Sequence, residues 1–244
     1  MKKLLYLSDI MGGDMAKFYK SSMEAIEDFK DGISIMIGGF GLCGIPENLL
    51  RALEKKKTKD LTIISNTAHT DKHGLGPIFK NRQIKNMITS YLGENPIASD
   101  QYFKNEINVT LTPQGTIAET IRANAAGIPA FYVATGVGTE VAEGKEVRVF
   151  NGKEYIMEKA LGANYAFIKA WKADTEGNII YRKTAKNFNP VMATSADITI
   201  VEVEEIVEAG ELDMDNIHTP GIYVQRVIKG EFFDKPIEFL TTSD

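Results

Sequence analysis

The sequence predicts one α/β domain, a parallel sheet flanked by helices, and three observations predict it. Short apolar runs rich in β-branched residues alternate with segments of helical period along much of the chain. A glycine-rich turn joins an early apolar run to the helical segment that follows it. No repeat, low-complexity tract or long linker divides the 244 residues into separate units.

Ser21-x-x-Glu24 is a capping-box pattern that opens a helix through about Lys30. Residues 33–37 are the first strand and 38–44 the glycine turn. Pro46 fits a first helical position ahead of Leu49, Leu50 and Leu53, which recur at helical spacing. Strands are expected at 61–65, 84–91 and 107–111. Thr112-Pro-Gln-Gly115 then turns into a helix over about 116–125, and 131–133 is a short strand after Pro129. Beyond Thr135-Gly-Val-Gly-Thr139 the alternation breaks, and 147–150 and 154–157 flank Asn151-Gly152, a strong hairpin signal. Strands resume at 166–170, 179–181 and 198–203. The acidic residues of 202–215, interleaved with Ile206, Val207 and Leu212, read as a solvated surface segment.

A content of 43% hydrophobic and 25% charged residues is that of an ordinary soluble globule. A formal net charge of −5 gives no reason to expect nucleic acid or an anionic membrane as partner. No apolar run approaches the roughly 20 residues of a membrane span. The opening Met1-Lys-Lys-Leu-Leu-Tyr-Leu mimics a signal peptide but turns polar at Ser8-Asp9. Residues 1–15 read as an arm or as the lead-in to an alternative start at Met15, and 16–244 as the domain. The single cysteine, Cys43, excludes an internal disulfide and suits a reducing cytoplasm. With no histidine base near it in sequence, it reads as a small packing residue.

A strand that turns through glycines into a helix presents backbone N–H groups at the helix start, where a phosphate or an oxyanion is stabilised. Gly39-x-Gly41-x-x-Gly44 matches a dinucleotide fingerprint, which also needs an acid at the end of the next strand. Asn66 stands there instead, and Asp60 lies at that strand's entrance. A plain tight turn is the other reading of the glycines. Asn66 and Gln114 lie just beyond strand ends, where parallel sheets place ligands, and each offers an amide N–H₂ that suits an oxyanion. Each also fits a plain turn role. His69, His73 and His218 form no metal signature and read as surface or loop histidines. Glu94-Asn95 reads as a turn, and no nucleophile elbow, Walker lysine or CxxC pair is present. The residues thus describe a ligand-binding α/β domain with donors and no evident nucleophile.

Gly38-Gly-Phe-Gly-Leu-Cys-Gly-Ile-Pro-Glu-Asn48 resembles the signature of the A-type half of family I CoA-transferases, nearest to those acting on succinyl-CoA and 3-oxoacids. The resemblance runs on through Ser90-Tyr-Leu-Gly-Glu-Asn95, Thr112-Pro-Gln-Gly-Thr116, Gly136-Val-Gly-Thr139 and Glu143-Gly-Lys-Glu146. It continues in Ile168-Lys-Ala-Trp-Lys-Ala-Asp174, Asn187-Phe-Asn-Pro190 and Ile217-His-Thr-Pro-Gly-Ile-Tyr223, covering about residues 16–230 in order. It implies a three-layer αβα domain around a largely parallel sheet with a β-hairpin excursion. It also implies a B-type partner chain that carries the catalytic glutamate, in a heterodimer or heterotetramer. Asn66 and Gln114 match the family's two oxyanion-stabilising amides, and Gly38, Gly39, Phe40, Gly41, Leu42, Cys43 and Gly44 match its CoA-binding segment. Coenzyme A is then a substrate, small carboxylic acids are the acceptors, and no metal or other cofactor is expected.

Thr67 stands where members usually have a second Asn, Lys186 where Arg is usual, and Asn124-Ala125 where Gly-Gly is usual. The stretch Ala68-His-Thr-Asp-Lys-His-Gly-Leu-Gly-Pro77 is closer to acetate- or butyrate-acetoacetate CoA-transferases, the alternative within the class. These departures bear on which acid is used, not on the reaction. From other classes, a nicotinamide-dependent oxidoreductase would need the missing acid, and a stand-alone CoA-binding module would need no partner.

Overall fold

The computed structural model describes residues 17–237, so the reading of residues 1–15 lies outside the described residues. The central layer is an eight-stranded sheet. Its members are β1 (Lys17–Tyr19), β2 (Ser34–Ile37), β3 (Leu61–Ser65), β4 (Ile84–Thr89), β5 (Asn108–Leu111), β9 (Ala163–Lys169), β12 (Ala196–Val203) and β14 (Arg226–Lys229). They lie in the order β1-β14-β12-β9-β2-β3-β4-β5. Every pairing among them is parallel.

Such a sheet must be covered on both faces, which is why its strands read as continuous apolar runs. Ile35, Ile37, Ile63, Phe167 and Ile200 enter one core. There they meet α1 (Ser22–Ala25), α2 (Glu47–Lys56), α3 (Gly76–Lys80) and α4 (Pro96–Phe103) through Ala25, Leu49, Leu53, Phe79 and Ala98. Met36, Ile64, Ala166, Ile168 and Val201 enter the other, against Ile117 and Ile121 of α5 (Gln114–Ala125) and Met192 of α6 (Asn189–Ala193). The expected three layers are present.

Two small sheets stand outside the central one. The hairpin β7 (Val147–Phe150) and β8 (Lys153–Lys159) forms as expected, with Asn151 and Gly152 at φ 51° and 75°, the signs of a type I′ turn. It captures β6 (Ala130–Val133), so the strand expected at 131–133 is real but antiparallel and outside the parallel sheet. β10 (Lys172–Asp174), β11 (Ile179–Ile180) and β13 (Glu205–Val207) form the second.

Other expectations need correction. The helix placed at 21–30 is a single turn: Ser21 Oγ accepts the Glu24 N–H at 3.2 Å, but the chain leaves the helix at Ile26. That departure lets Ile26 and Phe29 both reach the core, where Phe29 stacks on Phe167 at 5.7 Å. Pro46 is the N-cap residue of α2, one place before the first helical position. The 202–215 segment is not uniformly solvated, since Glu202 is fully buried near the end of β12. No described helix is long and apolar enough to cross a membrane.

Leu53 is fully buried in the core under α2. Leu53→Ala should cost about 2–5 kcal/mol of unfolding free energy, read as a lower urea midpoint with an unchanged m-value.

Candidate active site

The glycine turn, Asn66 and Gln114 all lie beyond the carboxyl ends of sheet strands, following β2, β3 and β5. In a parallel sheet these ends share one edge.

The turn is a closed unit. Phe40 and Cys43 exchange backbone hydrogen bonds, each 3.0 Å, over the tip Gly41-Leu42. Its glycines serve two different purposes. A Cβ at Gly38 would lie 1.9 Å from Asn189 Oδ1, and one at Gly44 would lie 2.6 Å from the Ala185 carbonyl oxygen. Those two glycines admit another piece of the same protein. Gly41, at φ 54°, faces open space, and Phe40 beside it is half exposed.

The helix start beyond the turn is not a free anion site. The buried Glu202 carboxylate accepts the N–H groups of Asn48 and Leu49 at 2.8 and 3.1 Å and the Asn48 side-chain amide at 2.7 Å. The phosphate reading of the helix N-terminus is thereby overturned: a protein carboxylate already takes the favourable end of the dipole. Lys169, buried at the end of β9, has its ammonium 3.5 Å from Glu202 and 3.6 Å from Glu204, and 3.6 Å from the centre of the Phe233 ring. Burial lowers the Lys169 pKa and raises that of Glu202. Sequence reading missed both residues. The available signal was a charge inside a strand apolar on both faces, which demands a buried partner.

Asn66 is buried and locked. Its backbone oxygen accepts from Ser90 N–H at 3.1 Å, Ser90 Oγ at 2.8 Å and Thr89 Oγ1 at 3.0 Å. Its Nδ2 donates one hydrogen to Ser90 Oγ at 3.1 Å, while Oδ1 is buried without a hydrogen-bond partner. Ser65 Oγ and Thr116 Oγ1 are also buried and unpartnered. An unmade bond of this kind costs about 1–3 kcal/mol; two of the three atoms, on Ser65 and Asn66, lie at the end of β3 and the third in the first turn of α5. Gln114 is exposed and is the first residue of α5, so the helix begins two residues earlier than expected. One strand separates β3 from β5, which puts Asn66 and Gln114 on the order of 10 Å apart by strand spacing. They share an edge and make no bond to each other.

His69 lies in a loop, as expected, but not at the surface. It is buried at φ 58°, and its Nδ1 accepts the Leu75 N–H at 3.1 Å. His73 bonds with Thr70, and His218 Nδ1 accepts the Tyr181 N–H at 2.9 Å. No group of described residues could hold a metal ion. Cys43 is half-buried with Sγ 3.3 Å from Thr184 Oγ1, in keeping with packing. Glu94 is exposed in its turn, and Asn95 caps α4.

Residues 19–230 match the family model described as Coenzyme A transferase. The chain is 55% identical to the A-type half of a probable succinyl-CoA:3-ketoacid coenzyme A transferase of Bacillus subtilis, over 92% of this chain and 94% of that one. It is 57% identical to the A-type half of the succinyl-CoA:3-ketoacid coenzyme A transferase of Helicobacter pylori, over 90% and 94%. Against the human mitochondrial succinyl-CoA:3-ketoacid coenzyme A transferase 2 the identity is 48%, over 93% of this chain but 47% of that one, so the chain spans about half of it. Among solved structures, an acyl-CoA transferase of E. coli O157:H7, in a thioester complex with CoA, superposes with a TM-score of 0.80 at 24% identity. That match covers 91% of this chain and 48% of the other and shows a common fold.

Two outcomes test this edge. Glu202→Gln removes the fully buried one of the two carboxylates beside Lys169, leaving only the more exposed Glu204, and should cost up to about 3–5 kcal/mol in denaturant unfolding. Burial holds the His69 imidazole down at about 4 against an ordinary 6.5. The unfolded chain therefore takes up a proton that the folded one refuses, and stability is lost as pH falls from 6.5 towards 4, by roughly 3 kcal/mol. His69→Asn keeps an acceptor for Leu75 and tolerates the positive φ. It should flatten that loss in unfolding curves taken across the same pH range.

Proposed function

The chain belongs to the coenzyme A transferase family, and on that premise we propose that it is the A-type half of an enzyme moving CoA from succinyl-CoA to a 3-oxoacid such as acetoacetate. The observation that carries the reading is the placement of two amides on one sheet edge. Asn66 is buried beside unpartnered polar atoms, and Gln114 is exposed in the first turn of α5. The partner chain supplies a glutamate, and the two chains assemble as a heterodimer or heterotetramer in the cytoplasm.

In this reading the partner's glutamate carboxylate attacks the thioester carbonyl of succinyl-CoA. The C–S bond breaks, leaving an acyl-glutamyl anhydride and CoA thiolate. The thiolate attacks the glutamyl carbonyl, succinate departs with the bridging oxygen, and a glutamyl-CoA thioester remains. Acetoacetate runs the sequence in reverse and leaves as acetoacetyl-CoA, the pattern of covalent, ping-pong catalysis. Each step passes through a tetrahedral oxyanion. The second Nδ2 hydrogen of Asn66 and the Gln114 amide are donors for it, and the start of α5 adds a favourable dipole. The turn Gly38, Gly39, Phe40, Gly41, Leu42, Cys43 and Gly44 lies against the CoA arm, with open approach at Gly41. CoA is a substrate, and the chemistry requires no metal or redox cofactor.

A second reading within the family, transfer between acetoacetate and acetate or butyrate, is favoured by the Ala68–Pro77 stretch, which directly follows Asn66 and Thr67.

Transfer from succinyl-CoA to acetoacetate should appear only when this chain is mixed with its partner chain. Turnover by this chain alone would sink the half-enzyme reading, and turnover with butyrate or acetate only would select the second. In the assembled enzyme Gln114→Ala should lower kcat about 10²–10³-fold with assembly intact, as expected for one preorganised donor.

A further inference from the structure

Arg182, Lys183 and Lys186 place three cations within five residues of a chain whose formal net charge is −5. All three are exposed, and none is in an ion pair with a described carboxylate. The acids of the neighbouring strands are engaged elsewhere: Glu204 holds Lys235 at 2.6 Å, and Glu205 holds Lys172 at 2.7 Å.

This segment is fastened to the glycine turn. Asn187 Nδ2 donates to the carbonyl oxygens of Cys43 and Thr184 at 3.1 and 2.8 Å. Asn189 Nδ2 donates to those of Gly44 and Ala185 at 3.0 and 2.9 Å. Lys183 sits at φ 49° and Asn187 at φ 20°, ψ −118°, conformations that persist only where surrounding bonds enforce them. Arg182 is steadied over the Trp171 ring, with Cζ 5.4 Å from its centre. The backbone that carries the three cations is thus fixed, and Arg182 is already oriented, which lowers the ordering cost to a ligand.

We propose that 182–186 is the subsite for the phosphate groups at the nucleotide end of acyl-CoA. The inference rests on the CoA-transferase reading above and assigns to this chain the recognition of the substrate's anionic tail. The glycine turn follows β2, one strand from β3 and three from β5, so it lies about 5–15 Å from the amides by strand spacing. A thioester seated between Asn66 and Gln114 sends its pantetheine arm past the open face of Gly41, and the phosphates arrive beside Arg182, Lys183 and Lys186. Arg suits bidentate phosphate contact and the lysines add point charges.

The test uses the assembled heteromer, wild type and R182Q/K183Q/K186Q, with succinyl-CoA and with succinyl-pantetheine, which lacks the nucleotide. Each lost charge-assisted contact is worth about tenfold. With three contacts removed we expect kcat/KM for succinyl-CoA to fall on the order of 10³-fold, with succinyl-pantetheine unchanged and the wild-type preference weakened by salt. Lys186→Arg should retain the wild-type preference. CoA binding by calorimetry on the same preparations reads the subsite without turnover, while wild-type turnover separately tests the transferase reading. A triple variant that binds CoA as tightly as wild type overturns the proposal. So does an equal fall with both thioesters, or weakened association of the two chains, which would assign the cations to an acidic face of the partner.

Discussion

The carboxylate of Glu202 reaches from the penultimate residue of β12 to the first turn of α2, and the carboxyl edge of the sheet is organised by that reach. It satisfies two backbone donors that a helix start leaves open and fixes where α2 begins. The same helix turn then gathers the 231–237 segment. Asn48 Oδ1 accepts from Glu231 and Phe232 N–H groups, its Nδ2 donates to Phe232 O and Glu202, and Glu47 accepts from Asp234 and Lys235. Asn48 therefore commits its whole hydrogen-bonding capacity to one junction. Lys169 brings the end of β9 into it as countercharge.

With the helix start occupied, the open chemistry moves sideways along the edge. The glycine turn has an inward half, Gly38 and Gly44 closed against 185–189, and an outward tip at Gly41. Asn66 is immobilised by Ser90 and Thr89, while its Oδ1, the adjacent Ser65 hydroxyl and the Thr116 hydroxyl in α5 stay unsatisfied. Each unmade bond costs stability, and under the proposed function the fixed amide of Asn66 is what electrostatic stabilisation of a developing charge requires.

Much of this was legible in the residues. The strands at 61–65 and 33–37, the helix under Leu49 and Leu53, and the Asn-Gly hairpin follow from local patterns with a strong physical cause. What escaped is non-local. Nothing around 131–133 says that its partner is β8 and not the parallel sheet. Short elements such as β1 and β14 carry too few residues to show a period; β14 exists because it pairs with β12, and β1 because it pairs with β14. In the site, Asn66 and Gln114 stood out by position after strands, and the glycine turn by composition. Glu202 and Lys169 did not, because their meaning lies in a contact 154 residues away in sequence for the former and in a sheet neighbour for the latter. That the loop residue His69 is buried escaped because burial has no local signature in a polar stretch.

The strand order carries a consequence for biosynthesis. β2 to β5 lie side by side in chain order, so this half of the sheet can pair while the rest is still being made. β1, the earliest of the described strands, bonds among them only to β14, across some two hundred residues of intervening polypeptide. The described sheet therefore cannot close until translation has passed Lys229, and its earliest strand is the last to acquire a neighbour.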